Sequence, residues 1–245
     1  MDVELEADGD LAVITVNRPD RRNAIAPDTM DALDTALDAA VDAAALVVTG
    51  AGDRAFVSGG DLKELASIRT LEDAQAMALR MRGICDRLVA FPGPVIAALN
   101  GSAFGGGSEF ATAADIRLAA HDIKIAFNQR ELAIIPAWGG AERLSRLVGP
   151  SKALLLVGTG AAIGAEQAER IGLVDRVFPR AEFDEGWRSI ARSLATGRAR
   201  AIKRLVTQNP TNEEAALAFA QFWVTQEHWD AADKMTERML TRSLP

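Results

Sequence analysis

"GSAFGGGSEFATAADIRL", residues 101–118, sets three consecutive glycines, Gly105 to Gly107, directly before Ser108, Glu109 and an alanine-rich run. Glycine is costly in a helix and offers nothing to pack, so a run of it needs a physical reason. Just upstream, "PVIAALNG" (94–101) is a short apolar stretch, the pattern of a strand buried on both faces. The order is therefore strand, glycine turn, helix to about Ala113, then a further strand in "DIRLAA". A second strand and glycine turn lie at "ALVVTG" (45–50) and Ser58-Gly59-Gly60, with a helix expected from about Asp61. Strands alternating with helices through the first two thirds predict an α/β core.

Working outward, "VELEADGDLAVITV" reads as a hairpin with its turn at Asp8-Gly9. "APDTMDALDTALDAAVDAA" follows as a helix, with Met30, Leu33, Leu37 and Val41 on one face and Asp31, Asp34, Asp38 and Asp42 on a solvated one. A long helix fits 71–90. Beyond "DIRLAA" helices are expected to dominate, apart from a strand in "GLVDRVF" (172–178).

Composition removes several functional classes. A net charge of -7 without a basic stripe argues against nucleic acid as a partner. The single cysteine, Cys85, rules out an intrachain disulfide framework and points to a reducing compartment. The acidic opening "MDVELEADGD" is unlike a secretory or transit peptide, so the expected location is cytoplasmic. Residues 88–108 carry no charge over a membrane-spanning length, but Pro92, Pro94, Asn100 and five glycines break the run into a strand and loops, so no membrane association is expected. The two histidines, His121 and His228, lie far from each other and from Cys85, so zinc-ligand spacings are missing, as is a G-x-S-x-G elbow.

Nor do the glycines read as phosphate loops. "GTGAAIG" (158–164) follows a helix-like segment rather than a strand and suits a helix C-cap, and no G-x-x-x-x-G-K-[ST] pattern occurs. The turns at Gly60 and Gly106 offer something else: backbone N–H groups without helical partners. Two such groups converging on one oxygen would stabilise a developing anion. From spacing alone, two ordinary tight turns remain equally open.

The motifs carry a family resemblance. "RAFVSGGDLKEL" (54–65) and "NGSAFGGGSEFATAADIRL" (100–118) resemble the two signature turns of the crotonase superfamily, the enoyl-CoA hydratase/isomerase group. "NRPDRRNAI" (17–25), "IIPAWGGAERLSRLVG" (134–149) and "AEQAERIGLVDRVFP" (165–179) are similar to three further segments of that family, in unbroken order. The resemblance implies stacked ββα units forming a superhelix over residues 1–180, and a helical C-terminal region over 181–245 that builds a homotrimer or homohexamer. It implies an acyl-CoA substrate, coenzyme A being part of that substrate, and no metal or redox cofactor. Carried over by position, Gly60 and Gly106 supply the oxyanion hole and Glu109 is the acid/base. Backbone groups around Ala55, Val57 and Asp61 meet the adenine half of the ligand, while Arg22 and Ala24 lie along its nucleotide and pantetheine. Gly59, Leu62 and Trp138 complete the binding set.

One position departs from the pattern. Hydratases of the family use two glutamates, and the register from Pro136 and from Asp115 puts Gln129 at the second. A glutamine neither donates a carboxylic proton nor acts as a base. Glu131, two residues on, would face the same way in an extended segment but roughly 7 Å away. Removal of half an acid–base pair typically costs about 10²–10⁴-fold. Hydration or double-bond isomerisation on Glu109 therefore stands beside decarboxylation of a malonyl-type (methylmalonyl or ethylmalonyl) thioester, which needs no base. "NQRELAIIPAWGGAERL", with its Trp138, is similar to a segment of ethylmalonyl-CoA decarboxylases. A catalytically silent acyl-CoA-binding scaffold is the third alternative.

Overall fold

The structure, a computed structural model, describes residues 1–242, with side chains described as far as Arg238. It contains two compact units, residues 1–196 and residues from Gly197 onward. The sequence expectation divided the chain at 180; the last three residues of its C-terminal region, 243–245, lie outside the described residues.

In the first unit, β1 (Val3–Asp8) and β2 (Leu11–Val16) form an antiparallel hairpin around Gly9, whose φ of 62° suits glycine. Helix α1 (Pro27–Ala39) starts with proline in its first turn, where a missing N–H costs nothing. Strand β3 (Ala45–Gly50), helix α2 (Leu71–Ala90) and strand β4 (Val95–Leu99) follow. Then come the short strand β5 (Ala103–Phe104), helix α3 (Gly106–Ala111), and strands β6 (Ile116–Ala120) and β7 (Lys124–Ala126). Helices α4 (Gly140–Val148) and α5 (Pro150–Thr159), strand β8 (Ile163–Gly164), helix α6 (Ala165–Arg170), strand β9 (Arg176–Phe178) and helix α7 (Phe183–Leu194) complete it.

The main sheet runs β1-β2-β3-β4-β6-β9, parallel from β2 onward; a small sheet runs β5-β7-β8. Every residue of β3 and of β4 is buried, as continuous apolar runs demand of strands covered on both faces. Helix α1 packs on β1 and β2, and α7 on β3 and β6. The chain thus spirals: a strand of the main sheet, a short strand of the small one, then a helix. In the second unit, helices α8 (Gly197–Thr207), α9 (Asn212–Trp223) and α10 (Gln226–Arg242) form the C-terminal region, and α9 opens on a capping box between Thr211 and Glu214. No helix among the described residues is long and apolar enough to cross a membrane.

Several local expectations need correction. Helix α1 ends at Ala39, so Val41 lies beyond it and is 50% exposed. Its aspartates are not merely solvated: Asp31 pairs with Arg80, and Asp34 and Asp38 both pair with Arg87, all across to α2. The helix expected from Asp61 does not form. Residues 62–67 form successive turns instead, with Leu65 N donating to Asp61 O at 2.9 Å and Ile68 N to Leu65 O at 3.1 Å. The strand in 172–178 is only Arg176–Phe178, and β7 and β8 were not anticipated. Gly160 does cap a helix, at φ 68°.

Candidate active site

Two buried asparagines strap down the loop that carries the first glycine turn. Asn23, in the left-handed region at φ 56°, donates from Nδ2 to Ala51 O (3.0 Å) and Ala55 O (2.7 Å). Asn100 receives Gly50 N–H at 3.0 Å and donates to Gly52 O at 2.7 Å. Beyond this loop, Ile25 N donates to Gly59 O and Asp61 N to Ile25 O, both at 2.8 Å. Neighbouring residues in extended chain point opposite ways, so the Gly60 N–H between these two bonds is turned away from Ile25. Gly106 is the first residue of α3, where amides have no partner within the helix. No protein group among the described residues accepts either N–H.

The two turns touch. A Cβ on Gly59 would stand 3.3 Å from Gly106 N, and one on Gly107 only 1.8 Å from Val57 O. Glycine at 107 is thus required by close approach of backbones, and at 59 by a φ of 104°.

Helix α3 then carries Glu109, which is 2% exposed. Its carboxylate receives four donors. Oε1 accepts from Gln129 Nε2 (2.8 Å) and Ala137 N (3.2 Å), and Oε2 from Trp138 N (2.8 Å) and Gly140 N (2.9 Å). A carboxylate offers about four lone-pair sites, so all are engaged. Burial pushes its pKa above the ordinary glutamate value, outweighing the pull of these N–H groups toward ionisation. Gly140 must be glycine because a Cβ there would lie 2.3 Å from Glu109 Cγ.

Above the turns sits Trp138, which is buried. A Cβ on Gly106 would lie 2.4, 2.5 and 2.7 Å from Cζ3, Cη2 and Cε3 of the indole. Three adjacent ring carbons at nearly equal distance place the benzo ring face-on over Gly106. One on Gly60 would lie 4.0 Å from Cζ2, so one ring reaches both glycines. Trp138 O accepts from Arg143 Nη1 at 2.7 Å, and Arg143 is itself tied to Asp86 at 2.6 Å.

Similarity to known proteins gives the chain its family. The sequence profile described as "Enoyl-CoA hydratase/isomerase" matches residues 6–234. The chain belongs to the enoyl-CoA hydratase/isomerase family. It is 37% identical over 204 residues to a short-chain-enoyl-CoA hydratase of Clostridium acetobutylicum, covering 82% of this chain and 78% of the relative. It is 40% identical over 182 residues to a crotonyl-CoA hydratase of Syntrophomonas wolfei, covering 73% and 70%. The crystal structure of an enoyl-CoA hydratase from Bacillus anthracis superposes with a TM-score of 0.87 at 29% identity, over 97% of each chain. The crotonase-like α/β fold expected from the motifs is the fold of this chain.

Of the positions the sequence singled out, this family member brings together Gly59, Gly60, Gly106, Glu109, Gln129 and Trp138. Glu131 stays outside. The segment from Gln129 to Leu132 is a tight 3-10 turn rather than extended chain, so Glu131 is exposed and accepts from Asn128 Nδ2 at 3.0 Å. Ala24 is buried and Arg22 exposed, both in the opening segment, and Leu62 is 61% exposed. The backbone groups expected to meet adenine have internal partners: Ala55 O takes Asn23, Val57 O takes Phe104 N, and Asp61 N goes to Ile25. The Asp61 carboxylate pairs with Arg18 at 3.1 Å, tying the opening segment to the first turn. Asn23, Asn100, Gly140 and Arg143 were missed as supports of the site. All four lie within quoted motifs, yet nothing in a single sequence says which side chains turn inward.

Proposed function

We propose that this chain acts on acyl-CoA thioesters, with the thioester oxygen held by the N–H groups of Gly60 and Gly106 as an enolate develops, and with Glu109 as the acid/base. The observation that carries this reading is the pair of touching glycine turns, whose Gly60 and Gly106 N–H groups no described protein group accepts, packed against one indole, with the buried Glu109 three residues after Gly106. Preorganised donors in a dry site stabilise such an anion far more than water does.

A single carboxylate shapes the chemistry. Glu109 takes the proton from C2, the electron pair moves to the thioester oxygen, and the proton returns at C4, which shifts a double bond. Hydration, which needs a second acid, is slower on this site. To accept a proton Glu109 must first lose a donor. Three of its four are backbone N–H groups, so the Gln129 side chain is the one free to rotate away.

The same saturation favours a second reading. Loss of CO₂ from a malonyl-type thioester breaks the C2–carboxyl bond, sends its electron pair to the thioester oxygen, and needs no base. Mass spectrometry of a pooled panel of enoyl-, methylmalonyl- and ethylmalonyl-CoA separates these outcomes. A positional isomer or a gain of water supports the first reading, and a loss of CO₂ the second. Binding without any turnover overturns both in favour of a silent scaffold.

We propose also that the chain forms a homotrimer or homohexamer through its second unit. There Phe219, Trp223 and Trp229 are 61%, 44% and 45% exposed, and a cavity of about 470 Å³ opens between Ile202, Leu205, Phe219, Trp223 and His228. Apolar faces of this kind are ordinarily covered.

A further inference from the structure

We propose that Trp138 sets the size of the acyl group, so that the site takes short acyl chains and turns away long ones. The inference rests on the thioester reading above and adds the residue that limits the substrate. A thioester with its oxygen between Gly60 and Gly106 has one of its two substituents beside the indole, because the ring lies face-on over Gly106 and reaches Gly60 as well; in this proposal the acyl carbons take that place. Leu65 Cδ1 also comes within 2.9 Å of where a Gly60 Cβ would stand, so two apolar groups pack against the first glycine.

The wall is fixed rather than hinged. Trp138 is only 6% exposed, its N–H is bound to Glu109, and its carbonyl is bound to the buried Arg143. To make room, the ring must leave a packed position while its backbone stays pinned at both polar groups. A short chain avoids that displacement, whereas a long one requires it.

The test is calorimetric titration of the full-length protein with butyryl-CoA and decanoyl-CoA, saturated thioesters that are not turned over by this chemistry. The wild type is expected to bind butyryl-CoA at least about tenfold more tightly, in line with what a few methylenes are worth at an apolar wall. Trp138→Ala is expected to bring the two affinities together or reverse them. Trp138→Phe, which retains a ring but removes the benzo portion lying over Gly106, is expected to fall between, and it gives the same readout if the alanine variant does not fold. Equal binding of the two ligands by the wild type, or an unchanged preference in the variants, overturns the size limit while leaving the thioester reading intact. Failure to bind either ligand overturns the thioester reading, and this one with it.

Discussion

Glu109 experiences two opposed influences, burial against protonic donors, and the balance has measurable consequences. Its folded pKa is raised, so at pH values between the ordinary glutamate value and that raised one the folded protein holds a proton the unfolded chain has lost. Stability therefore falls as pH rises through this window and is level above it. Denaturant titrations across the acid range are expected to show that slope, and Glu109→Gln to remove it. If Glu109 is the base, kcat/KM rises with pH through the same raised pKa, and the glutamine variant loses about 10²–10⁴-fold in turnover. Unchanged turnover in that variant would remove Glu109 from the mechanism. Gln129→Glu places a second carboxylate next to the first, and like charge raises the apparent pKa of the pair further. The pH profile of this variant is expected to shift upward, with a gain in water addition to an enoyl thioester. This residue-level logic was partly legible in advance. The family's spacing, counted back from Pro136, put Gln129 at the second glutamate's position, and the structure places it 2.8 Å from Glu109. The fate of Glu131 depended on whether the backbone curls or extends, which residue type alone does not decide.

At the scale of elements, the close packing of turns governs tolerance. Gly107→Ala would bring a methyl to 1.8 Å from Val57 O and Gly140→Ala one to 2.3 Å from Glu109 Cγ, so neither can be absorbed by a flexible side-chain tip. Both variants are expected to lose thermal stability strongly, by the several kcal/mol typical of severe overpacking (about 1–3 or more). A melting temperature within a degree or two of wild type would contradict this packing. Charges joining α1 to α2 behave differently. Arg87 pairs with Asp34 and Asp38 at an exposed surface, so Arg87→Ala is expected to cost no more than about 1 kcal/mol, and less in high salt. Long periodic elements such as α2 were readable to the residue, because twenty residues of one pattern leave little ambiguity. The two- and three-residue strands β7 and β8 were not, since they exist through pairing with distant chain rather than through their own sequence. The segment after Asp61 did not become a helix although Leu62, Leu65 and Ile68 stand at helical spacing: most of its residues are exposed, so little tertiary packing supports a longer helix.

For the whole molecule, the proposed association rests on the exposed apolar side chains of the second unit. Light scattering after size exclusion is expected to give three or six copies, and Phe219→Asp to reduce the assembly to smaller species. A monodisperse monomer in the wild type would contradict the assembly proposal. The central strands of the first unit were legible because two motifs follow a buried strand with a glycine turn. The helical character of the C-terminal region was legible too, but not which face its helices cover, because that is decided by surfaces that a single chain does not specify. Cys85 has a practical consequence for such experiments. It lies fully buried on α2, and its thiol is pushed up to about 12 by burial. The reactive species is the thiolate, so this cysteine is inert to maleimide dyes at neutral pH. A cysteine introduced at an exposed site such as Leu154, which is 75% exposed, can then be labelled alone, without first removing the native one. The folded chain thus comes ready for single-site fluorescent tagging, and uptake of dye by the unaltered protein reports its unfolding.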